Sequence, residues 1–384
     1  MHPHRELNFN EAPFLLIWEI TQACAQACLH CRAEAIPSRH AGELTLAEGE
    51  HLIDQLAEMG TPILILTGGD PLERDDLEDL IRHGKARGLR VGAIPAATPR
   101  LTAERVQHLA AAGLDQMALS LDAVSAEQHD AFRGVEGSFA RTLAGARYAR
   151  QAGLRLQINT VFAAWNVGLF DPLRQLVEEL GAVFWEVFFL VPTGRGSAVK
   201  GLTPEQYEDL FAKLHALQRQ VSYIVKVTEA PHYRMFVAER ERRRQTTDGA
   251  SPGPSTGARI RQLLARETGP AGGVGQAPRG VNSGKGFVFV SHTGDVFPSG
   301  FLPVRAGNVR QTPLAELYRD TPVFRELRDA ALLKGRCGVC PYRELCGGSR
   351  SRAYALTGDY LAEDQSCRYQ PPTHAPAAAQ AAHS

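Results

Sequence analysis

Several broad protein classes are excluded by what this sequence lacks. It has no excess of charge, because 42 lysines and arginines face 42 aspartates and glutamates. No global field therefore draws it to nucleic acid or to an anionic membrane, and neither is expected as a partner. It has no long hydrophobic run: Phe14–Ile20 is far shorter than a bilayer span and Glu19 interrupts it. The small residues Ala23–Ala27 could serve a signal peptidase, but no basic segment with a long apolar stretch precedes them, so no secretory leader is expected. Cysteine is scarce and odd in number, seven in all, with three near the start and four near the end. Such a set does not make a disulfide framework; it suits metal binding in a reducing compartment, and the expected location is the cytoplasm.

What remains is a chain of 384 residues, enough for one large domain and a smaller one. Short apolar runs alternate with amphipathic stretches from Phe14 onward. The runs Leu15–Glu19, Ile63–Thr67, Arg90–Pro95, Gln116–Leu121, Arg155–Val161 and Phe184–Val191 read as strands. Thr45–Met59, Asp75–Arg87, Thr102–Ala112, Ser138–Ala152 and Leu169–Leu180 read as helices, with apolar residues at i, i+3 and i+4. Thr45 and Glu48 form a capping box, and Gly60, Gly88, Gly113, Gly153 and Gly181 each follow a helix. Repeated strand–helix units predict an α/β fold, a parallel sheet curled into a partial, TIM-like (βα)6 barrel open on one side. Barrel chemistry gathers at the C-terminal ends of strands.

Helix Thr203–Gln220 and strand Ile224–Thr228 either close the barrel or begin a bridge. Arg240, Arg242, Arg243 and Arg244 make a basic run, read as a solvated helix face, and residues 245–283 read as a flexible linker or a loop ordered on binding. Phe287–Ser291 and Val296–Pro298 read as a β-hairpin, followed by short helices Pro313–Tyr318 and Pro322–Leu332. The expected organisation is an arm over 1–12, a barrel over 13–235, a bridge and linker over 236–283, a small α+β domain over 284–370 and a disordered tail over 371–384.

Cys24, Cys28 and Cys31 stand in C-x3-C-x2-C spacing just after the first strand. Thiolates favour iron–sulfur clusters or zinc, and three on one loop can face one centre. Three cannot close a cubane of four irons, so one iron would stay open to a non-protein ligand; a structural zinc knuckle is the plainer reading. Gly68-Gly69-Asp70-Pro71 follows the second strand, where a glycine pair admits close backbone approach and Asp70 can accept from an ammonium group, or the four simply make a turn. Cys337-x2-Cys340-x5-Cys346 and, twenty residues on, Cys367 can close a cubane or hold one tetrahedral zinc.

Together these motifs resemble the radical S-adenosylmethionine (SAM) superfamily, over about residues 10–370. The resemblance implies a [4Fe–4S] cluster on Cys24, Cys28 and Cys31 whose open iron chelates SAM. Gly68-Gly69-Asp70-Pro71 resembles the family's GGEP motif, with Asp in place of Glu, which binds the methionine amino group. Ser120-Leu121-Asp122 resembles its SLD segment, and Ser120 and Asn159 match positions that contact the methionyl or ribose part of SAM. His30 stands where relatives place an aromatic residue beside the adenine, and Val191 begins the segment whose backbone meets adenine. The C-terminal run resembles a SPASM/twitch domain reduced to one auxiliary [4Fe–4S] cluster on Cys337, Cys340, Cys346 and Cys367. Ser299 and Arg350 stand where a complete domain has further cysteines. Cys31-Arg-Ala-Glu-Ala35 and Ala230-Pro-His-Tyr233 are most similar to heme-modifying members, which act on tetrapyrrole propionates.

The resemblance implies an oxidoreductase or decarboxylase. A reduced cluster cleaves SAM to a 5′-deoxyadenosyl radical that takes hydrogen from substrate, and the auxiliary cluster accepts the electron left behind. The implied partners are a tetrapyrrole and a reducing donor such as flavodoxin or ferredoxin. Arg133, Arg195 and Arg234 are the expected propionate partners at one barrel mouth, with His232 as an iron ligand or acid. Two alternatives stand beside this: a maturase of ribosomally made peptides, and a non-catalytic iron–sulfur or zinc protein.

Overall fold

The computed structural model describes residues 8–247 and 280–371; most of the expected linker and tail lies outside the described residues. The first seven strands are β1 (Leu15–Glu19), β2 (Ile63–Thr67), β3 (Arg90–Ala93), β4 (Gln116–Ser120), β5 (Arg155–Phe162), β6 (Phe184–Phe189) and β7 (Ile224–Thr228). Each pairs in parallel with the next in sequence order. Helices α1 (Leu46–Glu58), α2 (Leu77–Ala86), α3 (Ala103–Ala111), α4 (Ala126–Arg133), α5 (Ser138–Gln151), α6 (Phe170–Glu179) and α7 (Pro204–Leu217) connect them, and α8 (His232–Thr247) follows β7. The result is a partial TIM-like barrel.

The elements form for local reasons. In α1 the Thr45 hydroxyl accepts from Glu48 N, the Glu48 carboxylate accepts from Thr45 N at 2.8 Å, and Leu52, Ile53 and Leu56 are buried on the opposite face. That reciprocal cap satisfies donors that a helix start leaves open. Helix α4 is an addition to the sequence reading. Ser125 caps it, but its buried face is His129, Phe132 and Arg133, too polar to announce itself as an apolar stripe.

Strand β7 joins β6 from Phe184↔Ile224 to Phe188↔Thr228, so Ile224–Thr228 extends the barrel sheet. At the other end, β8 (Phe287–Val290) pairs in parallel with β1 and runs on into β9 (Asp295–Phe297) and β10 (Gly307–Asn308), both antiparallel. One sheet in the order β10-β9-β8-β1-β2-β3-β4-β5-β6-β7 therefore carries strands from both halves of the chain. The apolar edge of β1 is thereby paired rather than left open. Further contacts tie the C-terminal segment to the barrel: Arg352 donates to Glu229 O at 2.6 Å, Ser349 to the Glu229 carboxylate at 2.7 Å, and Tyr342 to Glu239. Among the described residues no helix is long and apolar enough to cross a membrane.

Candidate active site

The cysteine loop leaves the C-terminal end of β1 and is held from three sides. Gly69 N donates to Thr21 O at 2.8 Å and Asp70 N to Ala23 O at 2.7 Å, joining the β2 loop to the β1 loop. A Cβ on Gly69 would lie 2.3 Å from Ala23 O, so only glycine lets the two backbones meet there. From α4, Phe132 O accepts from Leu29 N at 2.9 Å. From the β6 loop, Arg195 donates through its backbone N to Cys31 O and through Nε to Cys28 O, both at 3.0 Å.

Cys24, Cys28 and Cys31 are free thiols facing one cavity of about 220 Å³ at the C-terminal ends of the strands. His30, Gly68, Gly69, Ser120, Asn159 and Val191 line the same cavity. Burial pushes the Cys24 thiol up to about 12 and also raises Cys28, with neighbouring acids and thiols adding to it and Arg133 easing the second. Such thiols shed protons when a cationic centre supplies the missing charge. The three-thiol set thus fits an iron–sulfur cluster with an open side toward the cavity.

His30 stacks on Phe132 with ring centroids 4.4 Å apart and planes within 4° of parallel. Burial, with Arg133 nearby, lowers its pKa to about 3, so it stays a neutral ring. A flat neutral surface on the cavity wall suits a purine.

Asp70, Pro71 and Asp122 are not on the cavity wall. The Asp70 carboxylate is fully buried and accepts from Leu72 N at 3.1 Å, Ala96 N at 3.2 Å and Thr98 Oγ1 at 2.6 Å. It ties the β2 loop to the β3 loop; its backbone neighbours Gly68 and Gly69 face the cavity in its place. Asp122 accepts from Val161 N at 2.9 Å and is ion-paired with Arg133. Burial works to raise the Asp122 carboxyl, but Arg133, with His30 and His129, holds it below the usual range.

The expected convergence of substrate groups on one mouth is not what the structure shows. Arg133 is spent on Asp122, its Nη1 4.0 Å from Cys28 Sγ, because a buried guanidinium needs an internal counterion. Arg195 grips the cysteine loop. His232 lies beside the C-terminal cysteines, its two ring nitrogens buried without hydrogen-bond partners and its Nδ1 3.7 Å from the Asp364 carboxylate. Arg234 alone reaches the barrel lumen.

Cys337, Cys340, Cys346 and Cys367 line a second pocket with His232 and Asp364. Gly348 N donates to Cys346 Sγ at 3.3 Å, and Arg350 Nη2 lies 3.8 Å from Cys337 Sγ. Gly348 adopts φ +66°, and a Cβ there would meet Cys337 Sγ at 3.3 Å. Donors aimed at sulfur and an orphaned imidazole fit a centre held by four thiolates.

The sequence reading missed the lumen itself. Gln116, Gln157, Glu186 and Lys226 all point into it. The signal was there in strand alternation, with polar residues at every second position in Gln157-x-Asn159 and Lys226-x-Thr228.

Residues 18–164 match the Radical SAM superfamily. The chain belongs to the radical SAM superfamily, and it is a radical SAM enzyme: it cleaves SAM reductively to a 5′-deoxyadenosyl radical that abstracts hydrogen from substrate. Within the superfamily it is 42% identical over 360 residues to the AdoMet-dependent heme synthase of Methanosarcina barkeri, covering 94% of this chain and 97% of that one. It is 38% identical to the AdoMet-dependent heme synthase of Nitratidesulfovibrio vulgaris, covering 93% and 92%. Among solved structures, SuiB of Streptococcus suis bound to S-adenosylmethionine superposes with a TM-score of 0.69 at 15% identity, over 94% of this chain and 78% of that one. That last likeness is one of fold.

Proposed function

We propose that this enzyme oxidatively modifies a tetrapyrrole side chain, decarboxylating a propionate. The observation that carries the reading is the likeness to heme synthases over almost the whole length of both chains. The cluster on Cys24, Cys28 and Cys31, when bound, supplies the electron that breaks the sulfonium bond of SAM. The chain's own residues then do the positioning. Gly68 and Gly69 present backbone to the methionyl end, Ser120 and Asn159 offer side-chain hydrogen bonds, and the His30–Phe132 stack and Val191 border the adenine. Asp70 and Asp122 act one step back, holding the loops that carry these groups.

Decarboxylation leaves one electron to be removed. Loss of a hydrogen atom from the propionate side chain gives a carbon radical; release of CO2 with transfer of one electron to an acceptor then yields the alkene. Cys337, Cys340, Cys346 and Cys367 would hold an auxiliary [4Fe–4S] cluster, which would supply an acceptor of that kind. A flavodoxin or ferredoxin is the expected reducing partner of the first cluster.

The test is anaerobic reconstitution with SAM, a reductant and an iron porphyrin bearing propionates, followed by mass spectrometry of the porphyrin and assay of 5′-deoxyadenosine. Porphyrin-dependent deoxyadenosine with loss of CO2 is expected. Stimulation by a short peptide, with none by the porphyrin, would overturn the substrate assignment in favour of peptide maturation. Absence of deoxyadenosine under every condition would leave only a non-catalytic metal protein.

A further inference from the structure

The lumen beneath the cysteine loop is a cavity of about 260 Å³, and it meets the cysteine cavity at Arg32, Thr67, Ile94, Phe188 and Phe301. A barrel of this kind ordinarily fills its interior with layers of branched apolar side chains. Here the inward positions of β4 to β7 instead carry Gln116, Gln157, Glu186 and Lys226. Polar groups facing an enclosed space need partners, and the way these are satisfied shows what the space is missing.

Glu186 is engaged through both carboxylate oxygens. It accepts from Gln157 Nε2 at 2.8 Å, Thr228 Oγ1 at 2.6 Å and Lys226 Nζ at 2.9 Å. The Lys226 ammonium carries three donors, and Glu186 takes one of them. On the neighbouring wall, in the first turn of α8, Arg234 Nη2 donates to Val281 O at 3.0 Å, while its Nη1 is buried with no acceptor. The third cation facing the lumen, Arg32, is already engaged by Glu19 at 3.0 Å and lies over the Phe289 ring. The second lumen carboxylate, Glu229, is turned away toward Ser349 and Ser351. Burial, the largest influence on it, raises its pKa, which favours the neutral acid. Lys226 and Arg234 Nη1 therefore present donors to the lumen beyond those their protein partners take up.

We propose that Arg234 and Lys226 form a carboxylate-binding end of the lumen, which takes an acidic side chain of the substrate while the remainder extends toward the cysteine cavity. A guanidinium edge and an ammonium on adjacent walls match a carboxylate's two oxygens. The inference rests on the tetrapyrrole reading and deepens it. It also separates Arg234, which lines the lumen, from Arg133, which is paired with Asp122, and from Arg195, whose backbone N and Nε hold the cysteine loop.

The experiment compares binding of an iron porphyrin bearing free propionates with that of its methyl esters, using the shift of the Soret band and the reconstituted full chain. Wild type should bind the acid form at least about tenfold more tightly than the ester, and Arg234→Ala should remove most of that difference while leaving ester affinity unchanged. Lys226→Met should do the same, and it carries the test alone if Arg234→Ala fails to fold by circular dichroism. Equal affinity of the variants and wild type for the acid form would overturn the site while leaving the tetrapyrrole reading intact. So would a parallel loss for acid and ester. Failure of wild type to bind either form would overturn the tetrapyrrole reading, and the site with it.

Discussion

Cys24, Cys28 and Cys31 sit on one loop that opens on a cavity of about 220 Å³, whereas Cys337, Cys340, Cys346 and Cys367 line a separate pocket with His232 and Asp364 and are each half-buried. The first loop is gripped by the β2 loop, α4 and the β6 loop, and carries one local donor to sulfur, Gln26 N to Cys24 Sγ at 3.3 Å. The second is ringed by local donors, Gly348 N and Arg350 among them. The difference teaches how one ligand type serves two ends. The first three thiols, held from behind by barrel loops, line a cavity with room for a small molecule, while the C-terminal four line a smaller pocket among their own neighbours.

That contrast breaks most sharply at Cys28. Cys28→Ala should reduce deoxyadenosine formation to the uncatalysed background, since the open centre loses a ligand; undiminished SAM cleavage would show that the first group is not the SAM centre.

Next comes the iron content. Reconstituted wild type should hold about eight irons per chain, and Cys340→Ala about four, because each cubane holds four. Cys340→Ala should still make deoxyadenosine but little product. Full iron retention in that variant, read by iron assay and by the cluster absorption, would remove the auxiliary centre from the account.

The loop's support can be probed through Asp122. Asp122→Ala strands the buried Arg133 guanidinium and should cost roughly 3–5 kcal/mol of stability, read by denaturant unfolding of the metal-free chain. A loss below about 1 kcal/mol would mean that Arg133 finds another partner.

The smallest expected effect belongs to His129, whose Nδ1 accepts from Asp122 N at 3.3 Å. Burial, with Arg133, lowers its pKa from 6.5 to about 4. The unfolded chain therefore takes up a proton below pH 6.5 that the folded chain refuses until about pH 4. The contribution is fully present above pH 6.5 and is lost as pH falls through that window, on the order of 3 kcal/mol. His129→Gln should flatten this acid limb; an unchanged pH–stability curve would contradict the assignment.

Much of the scaffold was legible because it is written in local patterns. The strand Ile224–Thr228 and the capping box Thr45/Glu48 depend on a few neighbouring residues and were found where expected. So was the position of the cysteine loop, since a loop after the first strand of a parallel barrel must open at the C-terminal face. The pairing of β8 with β1 was not legible, because a parallel partner 272 residues away, as in Leu15↔Phe287, leaves no trace in either segment's own periodicity.

By itself the sequence determined the ligand chemistry, the alternation of strand and helix, and the gathering of thiols into two groups, because each depends on residue type and short spacing. Only the tertiary structure decided what the charged side chains are for. Asp70 and Asp122 could have faced a ligand; burial required each to be satisfied from within, and the nearest donors were backbone amides, Thr98 and Arg133. Arg133, Arg195 and Arg234 are chemically identical in the sequence. They part company because their surroundings differ: one beside a buried carboxylate, one beside open loop carbonyls, and one facing the lumen. A guanidinium takes its role from whichever acceptor lies within hydrogen-bond reach, and that distance is set by the fold.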